Sequence, residues 1–330
     1  MLSTTNLPVL GSHRTCEVAI ADNVQTPALV IQAGLAAQFA WDEFIYGAIR
    51  NPRTRRAYSH AIRRFLEHCG QSGLELIRIA PRDVAVYLDS LTHAPATKKL
   101  HLAALRHLFD TLVTRHVVVL NPAASVRGER FQVIEGKTPE IGVEQARKLV
   151  RSIDISHIVG LRDRAIIGIL IYTAARVGAV ATLRRANFYS LADQSCLRFA
   201  EKGGKSREIP VRHDLTQFIV EYITASGLDY AEKQSPLFRT TIRRTRHLTQ
   251  SAMTANDIAR MVKRRLREAG LSERLSPHSF RVTTITDLLT QGVPLEDVQN
   301  LAGHADPRTT RLYDRRQRRV TRNIVERISV

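Results

Sequence analysis

Pro277-His278-Ser279-Phe280-Arg281, then Leu301-Ala302-Gly303-His304, then Tyr313 nine residues on: the carboxyl-terminal part of the chain sets out two histidines, an arginine and a tyrosine in close order. Gly303 reads as the end of one helix and Asp306-Pro307 as the start of another, because glycine tolerates the left-handed backbone at a helix end and proline fits the first helical position. Tyr313 is therefore expected in a short helix of its own, on an element able to move independently. Taken singly, each of these residues has an ordinary explanation: a histidine beside apolar residues is commonly structural, and an arginine at a helix end is commonly solvated. Their order carries the information, and it extends upstream. Arg176 closes an apolar helical stretch that begins at Arg162, and Lys202 opens the run Lys202-Gly203-Gly204-Lys205.

The surroundings fit a polyanion as partner. Lys and Arg number 49 against 31 Asp and Glu, a formal charge of +18 over 330 residues, and a surplus of that size marks proteins that bind polyanions. Aromatic residues, at 6%, are too few and too scattered to form stacking platforms for single strands, so duplex DNA is the favoured ligand. The three cysteines, Cys16, Cys69 and Cys196, are far apart and suggest neither a disulfide framework nor a zinc site. The most apolar stretch, Ala165 to Ala175, is far short of the roughly 18 to 20 residues of a membrane span. No basic start followed by an apolar run opens the chain. A cytoplasmic protein is expected, without membrane or small-molecule partner.

Length predicts two domains. Residues 1–28 lack periodicity and read as a tail. Residues 29–125 read as a helical bundle: Asn51 before Pro52 looks like a helix cap, Tyr58, Ile62, Phe65 and Leu66 form one apolar face, and Val84, Tyr87, Leu88 and Leu91 repeat the spacing. A third helix carries Leu102, Leu105, Leu108, Phe109 and Leu112, with Lys98, Lys99, Arg106 and His107 around it. Residues 126–140, with Gly128, Gly136 and Pro139, read as a linker. Residues 141–330 form the second domain, helical apart from one strand pair, Leu197 to Ala200 and Glu208 to Val211, flanking the Lys202 to Lys205 turn. The fold expected is mainly α with a small β-sheet, a two-domain clamp of helical bundle and mixed α+β domain. Gly203-Gly204-Lys205-Ser206 is not a nucleotide-binding loop, because Phe199 stands where that pattern needs its first glycine and the context is strand, turn, strand. No H-E-x-x-H run or metal-spaced carboxylate cluster is present, and neither cofactor nor metal is expected.

The ordered set Arg176, Lys202, His278, Arg281, His304 and Tyr313 resembles the signature of the tyrosine site-specific recombinases of the phage-integrase family, over about residues 30 to 330. Thr54-Arg55-Arg56-Ala57-Tyr58 and Asn121-Pro122-Ala123 look like landmarks of that family's helical DNA-clamping domain. The resemblance implies cleavage and religation of duplex DNA through a 3′-phosphotyrosyl link to Tyr313, and strand exchange through a Holliday junction. Arg176, Arg281 and His304 would stabilise the anionic phosphorus centre, as planar guanidiniums suit phosphate oxygens. His278 would be the general base for a phenol whose pKa in water is about 10, and Lys202 the general acid for the departing 5′ oxygen. The partners implied are duplex sites with inverted repeats and a homotetramer on DNA. Two departures stand out: Ala179 replaces a commonly acidic residue three positions after the first arginine, and Val282 follows Arg281 where histidine is frequent.

Further basic residues are expected to track phosphates: Arg55, Arg56, Lys98, Lys99, Arg106, Lys205, Arg243, Arg244, Lys263 and Arg264. After the tyrosine, Val320, Ile324, Val325 and Ile328 share one face of an amphipathic segment at about 315–330, expected to dock on a neighbouring protomer or back on its own domain. The rival readings are a nicking-closing topoisomerase of the type IB kind, with similar tyrosine chemistry, and a catalytically inactive DNA-binding protein.

Overall fold

The structure, a computed structural model, describes residues 24–129, 138–200, 206–243 and 245–313. Lys202, Lys205, Arg244, the segment 315–330 and most of the expected tail and linker lie outside the described residues. The chain divides into two compact units, residues 1–132 and 133–330.

The first unit is helical: α1 (Ala28–Gln32), α2 (Leu35–Asp42) running into a π-helical turn at Glu43–Ala48, α3 (Pro52–Gln71), α4 (Pro81–Ser90) and α5 (Pro95–Thr114). Three of these start with proline at the first helical position, where its missing N–H is no loss. The Asn51 side chain accepts from the amides of Arg53 and Thr54 and so caps α3. Ile62, Phe65 and Leu66 of α3, Val84, Tyr87 and Leu88 of α4, and Leu105, Leu108 and Phe109 of α5 meet Trp41, Phe44 and Ile45 in one buried core. Within it the buried ring of His101 shares a hydrogen bond with the Tyr87 hydroxyl, Nδ1 to Oη 2.9 Å. Burial lowers the His101 pKa to about 4 and raises that of Tyr87 to about 12.

The second unit contains α6 (Val143–Arg151), α7 (Ile158–Tyr172), α8 (Val177–Ala181), β1 (Phe188–Leu191), β2 (Gln194–Ala200), β3 (Ser206–Pro210), α9 (His213–Ala225), β4 (Arg239–Thr241), β5 (Leu248–Ala252), α10 (Ala255–Glu268), α11 (Pro277–Thr290), α12 (Leu295–Ala302) and α13 (Pro307–Arg311). β2 and β3 pair antiparallel, Leu197 opposite Ile209 and Ala200 opposite Ser206. The β-structure exceeds the single strand pair read from sequence. β1 adds to the other edge of β2, making the order β1-β2-β3, and β4 and β5 form a separate hairpin. β1 has four residues, β4 three, and β5 is mostly polar with little apolar alternation, which is why a period-two search passes over them. The fold is nonetheless mainly α.

α7 is apolar nearly all round and lies at the centre of the unit's core with Leu197, Phe199, Leu215, Ile219, Tyr222, Ile258, Val262 and Phe280. Its one buried charge pair is built into a network. Asp163, fully buried, accepts from Arg162 (2.8 Å), Arg264 (2.7 Å) and Arg265 (3.0 Å), while Arg162 also donates to the Arg239 carbonyl (2.8 Å). One carboxylate thereby ties α7 to α10 and, through Arg162, to β4. A buried charge is tolerated only when partnered in this way.

Candidate active site

The carboxyl end of α7 is followed by a turn that the sequence makes tight. The Thr173 hydroxyl donates to the Ile169 carbonyl (2.7 Å) and accepts from the Ala175 amide (3.3 Å). Ala174 takes a left-handed backbone, φ 49°, rare for a residue with a Cβ. Arg176 then caps the start of α8 in extended conformation and is exposed. Ala179, at the position commonly acidic in the family, is half-buried against the core, so the turn is braced from elsewhere.

The brace is Arg281. This side chain is 1% exposed and projects from α11 to donate from Nη1 to the Ala174 carbonyl and from Nη2 to the Ala302 carbonyl (2.7 Å). A single guanidinium thus joins three elements: α11, the turn ahead of Arg176 and the end of α12. Both of these partners are neutral, and the fork geometry of arginine serves two carbonyls at once where a lysine ammonium would not be held in a plane.

α12 ends at Gly303, left-handed at φ 62°, and the chain turns directly into His304. That ring is buried, 7% exposed, and its Nδ1 lies 2.9 Å from the Thr310 hydroxyl. Burial, then the charges of Arg281, Arg176, His278 and Arg207, lower its pKa to about 4, so at neutral pH it is an uncharged imidazole. His278, in the first turn of α11, has a pKa lowered by partial burial and by the charges of Arg281 and Arg176. Tyr313 follows α13, just past its last residue, on a backbone held by its own amide to the Thr310 carbonyl (3.0 Å). Its ring stacks on that of His304, 5.9 Å between centroids and 10° between planes. Its hydroxyl lies 3.4 Å from His278 Nε2. The ring packs on an apolar cluster of Ala174, Ile285, Leu289, Val298 and Ala302.

Arg176, His278, Arg281, His304 and Tyr313, spread over 138 positions of sequence, are thus brought together. Arg207 joins them and was not singled out from the sequence. It lies on β3 opposite Phe199, its guanidinium 5.5 Å from that ring, on the same face of the strand as buried Ile209. A basic residue on the inward side of a strand was the signal.

The residues expected on phosphates divide differently. Arg106 donates to the Ala123 and Val126 carbonyls (3.0 and 2.6 Å) and Arg55 to the Ile49 carbonyl (2.9 Å). Lys98 pairs with Glu129 (2.9 Å). Lys263 donates to the Glu273 carbonyl, and Arg264 belongs to the Asp163 network. Arg56 and Lys99 also take part in interactions within the protein. Arg243 instead is exposed beyond the end of β4, with φ 48°.

The phage integrase family profile matches residues 141–319, and the N-terminal SAM-like domain of phage integrases matches residues 40–118. The chain belongs to the phage integrase family, the site-specific tyrosine recombinases, which cleave and rejoin DNA through a tyrosine nucleophile. It is 24% identical over 265 residues to the tyrosine recombinase XerC of Leptospira interrogans, covering 79% of this chain and 82% of that one. With the tyrosine recombinase XerD of Listeria monocytogenes it shares 27% identity over 220 residues, 67% and 71% of the two chains. The fold is similar to that of the XerH site-specific recombinase in a post-cleavage complex with palindromic difH substrate, TM-score 0.65 at 21% identity, covering 82% and 78%. It is likewise similar to a lambda integrase dimer bound to a COC′ core site, TM-score 0.63 at 17% identity, covering 86% and 97%. These relatives favour neither the topoisomerase nor the inactive DNA-binding reading. Among the described residues no helix is long and apolar enough to cross a membrane.

Proposed function

We propose that Tyr313 attacks a phosphodiester of duplex DNA within the group formed by Arg176, His278, Arg281 and His304. The observation that carries this reading is the 3.4 Å approach of the Tyr313 hydroxyl to His278 Nε2 beside the two arginines. His278, its pKa lowered, keeps a lone pair for the phenolic proton. The Tyr313 oxygen forms a bond to phosphorus as the bond to the 5′ oxygen breaks, leaving a 3′-phosphotyrosine. Arg176, Arg281 and the N–H of neutral His304 stabilise the charge on the nonbridging oxygens, and Lys202 gives the departing oxygen its proton. Attack by a 5′ hydroxyl from a second duplex reverses the step, regenerates the tyrosine and exchanges the strand. The energy of the original bond is held in the phosphotyrosyl link, so the cycle consumes no ATP.

The substrate is duplex DNA with inverted-repeat sites, and the working assembly is a ring of four protomers. Solved relatives described as a recombinase on difH substrate and as an integrase tetramer on a Holliday junction support that assignment. The segment 315–330 closes the ring by docking head to tail on the next protomer. The domain limits proposed are 29–125 for the first DNA-binding unit, 126–140 for the linker and 141–330 for the catalytic unit.

A nicked suicide substrate tests the chemistry. Wild-type protein should be trapped as a covalent adduct resistant to denaturant, and Tyr313→Phe should bind the same DNA without forming one. An adduct of undiminished yield from the Phe variant would overturn the assignment. Strand exchange between two duplexes then separates a recombinase from an enzyme that only relaxes supercoils.

A further inference from the structure

We propose that Thr310 is a positioning residue for the cleavage reaction: its buried hydroxyl donates to His304 Nδ1 and holds the imidazole in the tautomer that carries its proton on Nε2. The inference rests on the reading of His304 as a phosphate donor and adds the group that makes it one.

A neutral imidazole has one nitrogen that donates and one that accepts, and the bond made by one nitrogen fixes the role of the other. Thr310 is fully buried, with its Oγ1 2.9 Å from Nδ1. A hydroxyl can donate or accept, so two arrangements are open. If Nδ1 carried the proton, Nε2 would present a lone pair to an anionic phosphate, which repels it. If Thr310 donates, Nε2 carries the proton and attracts the phosphate. Protonating both nitrogens is not an escape, because burial and the neighbouring charges of Arg281, Arg176 and Arg207 keep the ring neutral. A histidine in this position therefore depends on the partner behind it, as metal-bound histidines do.

The partner's place in the chain couples two events. Thr310 lies in α13, and its carbonyl accepts from the Tyr313 amide at 3.0 Å. The turn that carries the nucleophile is thus the turn that sets the tautomer of His304, whose ring stacks on Tyr313. Seating Tyr313 and arming His304 are one conformational step, and undocking α13 reverses both.

Ring tautomers are read directly from long-range ¹H–¹⁵N spectra of full-length protein labelled with ¹⁵N in its histidine rings, with the His304 signals identified by their loss in His304→Asn. Wild-type protein and Thr310→Ser should show the Nε2-protonated form at neutral pH, and Thr310→Val should show a mixture. Single-turnover cleavage of a nicked duplex should be close to wild type for the Ser variant. For the Val variant it should fall roughly 10- to 100-fold at saturating DNA, the scale on which orienting partners of histidines act, with DNA affinity unchanged. An Nδ1-protonated ring in the wild type, or a Val variant with wild-type spectra or a wild-type cleavage rate, would overturn the proposal. Failure of wild-type protein to form any covalent adduct would instead overturn the underlying reading of the site. The wild-type spectrum is decisive even if the Val variant does not fold.

Discussion

Replacing Arg281 by alanine removes a proposed phosphate donor and a structural tie together, whereas replacing Arg176 removes only a proposed donor. Arg281 is buried and serves the carbonyls of Ala174 and Ala302. A buried polar group stranded without its partner costs about 1 to 3 kcal/mol, so two stranded carbonyls set an upper range of about 2 to 6 kcal/mol. Relief of the desolvated guanidinium acts in the opposite direction, and the lower end of that range is expected. For a unit of this size a loss of about 2 to 3 kcal/mol lowers the melting temperature by roughly 4 to 12 °C. Arg176 is exposed at the start of α8, and its removal should leave the melting temperature within a degree or two, since surface substitutions are usually within about 0.5 kcal/mol of neutral. In single-turnover cleavage of a nicked duplex Arg176→Ala should lose about 10² to 10³ in rate, the scale of one oxyanion donor, and Arg281→Ala more, because it also frees the turn that holds Arg176. Arg281→Lys should keep the charge yet recover little of the rate, because an ammonium does not hold the two carbonyls in one plane. Near-normal cleavage by either alanine variant would mean that the phosphate is misplaced. Wild-type melting of Arg281→Ala would refute the bracing role.

Other outcomes follow from the same geometry. On the proposed reading of His278 as general base, the ring must be neutral to act, so cleavage should fall as pH drops through the His278 pKa, which lies below the ordinary histidine value; Arg176→Ala removes one of the charges that lower it and should move this acid limb to higher pH in a rate profile. His304 and His101, each at about pKa 4 when folded, take up protons on unfolding at about 6.5. Their contribution is complete above pH 6.5 and is lost as pH falls towards 4, up to about 3 kcal/mol each, which denaturant titrations at pH 7 and pH 4.5 should register. DNA affinity should weaken steeply with salt if many phosphates are neutralised, and cleavage should persist in excess chelator; a flat salt dependence or a metal requirement would contradict the proposed chemistry. Truncation after Arg319 should spare half-site binding by the monomer and abolish cooperative assembly, and full recombination by the truncated chain would exclude docking of the terminal segment in trans.

The group that the structure brings together around Tyr313 was legible because the proposed chemistry restricts residue type: a tyrosine, two histidines and two arginines at fixed order have few substitutes. The helices of the first unit were legible from apolar spacing, and Asn51 caps α3 as its position before Pro52 suggests. What the sequence concealed was which of its basic residues also hold the protein together. Arg106, Arg55 and Arg264 look like any surface cation in a list of charges, yet each donates to a carbonyl or carboxylate of its own unit. Side-chain reach in three dimensions decides that, and charge count does not. Arg207 escaped for the converse reason, since only the pairing of β3 with β2 places it near His304.

The missing acidic residue at Ala179 becomes intelligible on the same terms. A carboxylate there would brace the turn after the first arginine but would also set a negative charge beside it, lowering the cationic field offered to a phosphate. In this chain the turn is held by the Thr173 hydroxyl, by a left-handed Ala174 and by Arg281, whose two carbonyl partners orient it without contributing a net charge. Bracing by neutral groups therefore keeps the cationic field at the site while fixing its geometry. It also makes the two arginines interdependent: Arg281 holds the carbonyl two residues ahead of Arg176. Arg176→Ala and Arg281→Ala should accordingly be less than additive in the double variant, since Arg281→Ala already displaces Arg176. A double-mutant cycle on cleavage rate measures this directly, and strictly additive losses would show that Arg176 is positioned without help from Arg281.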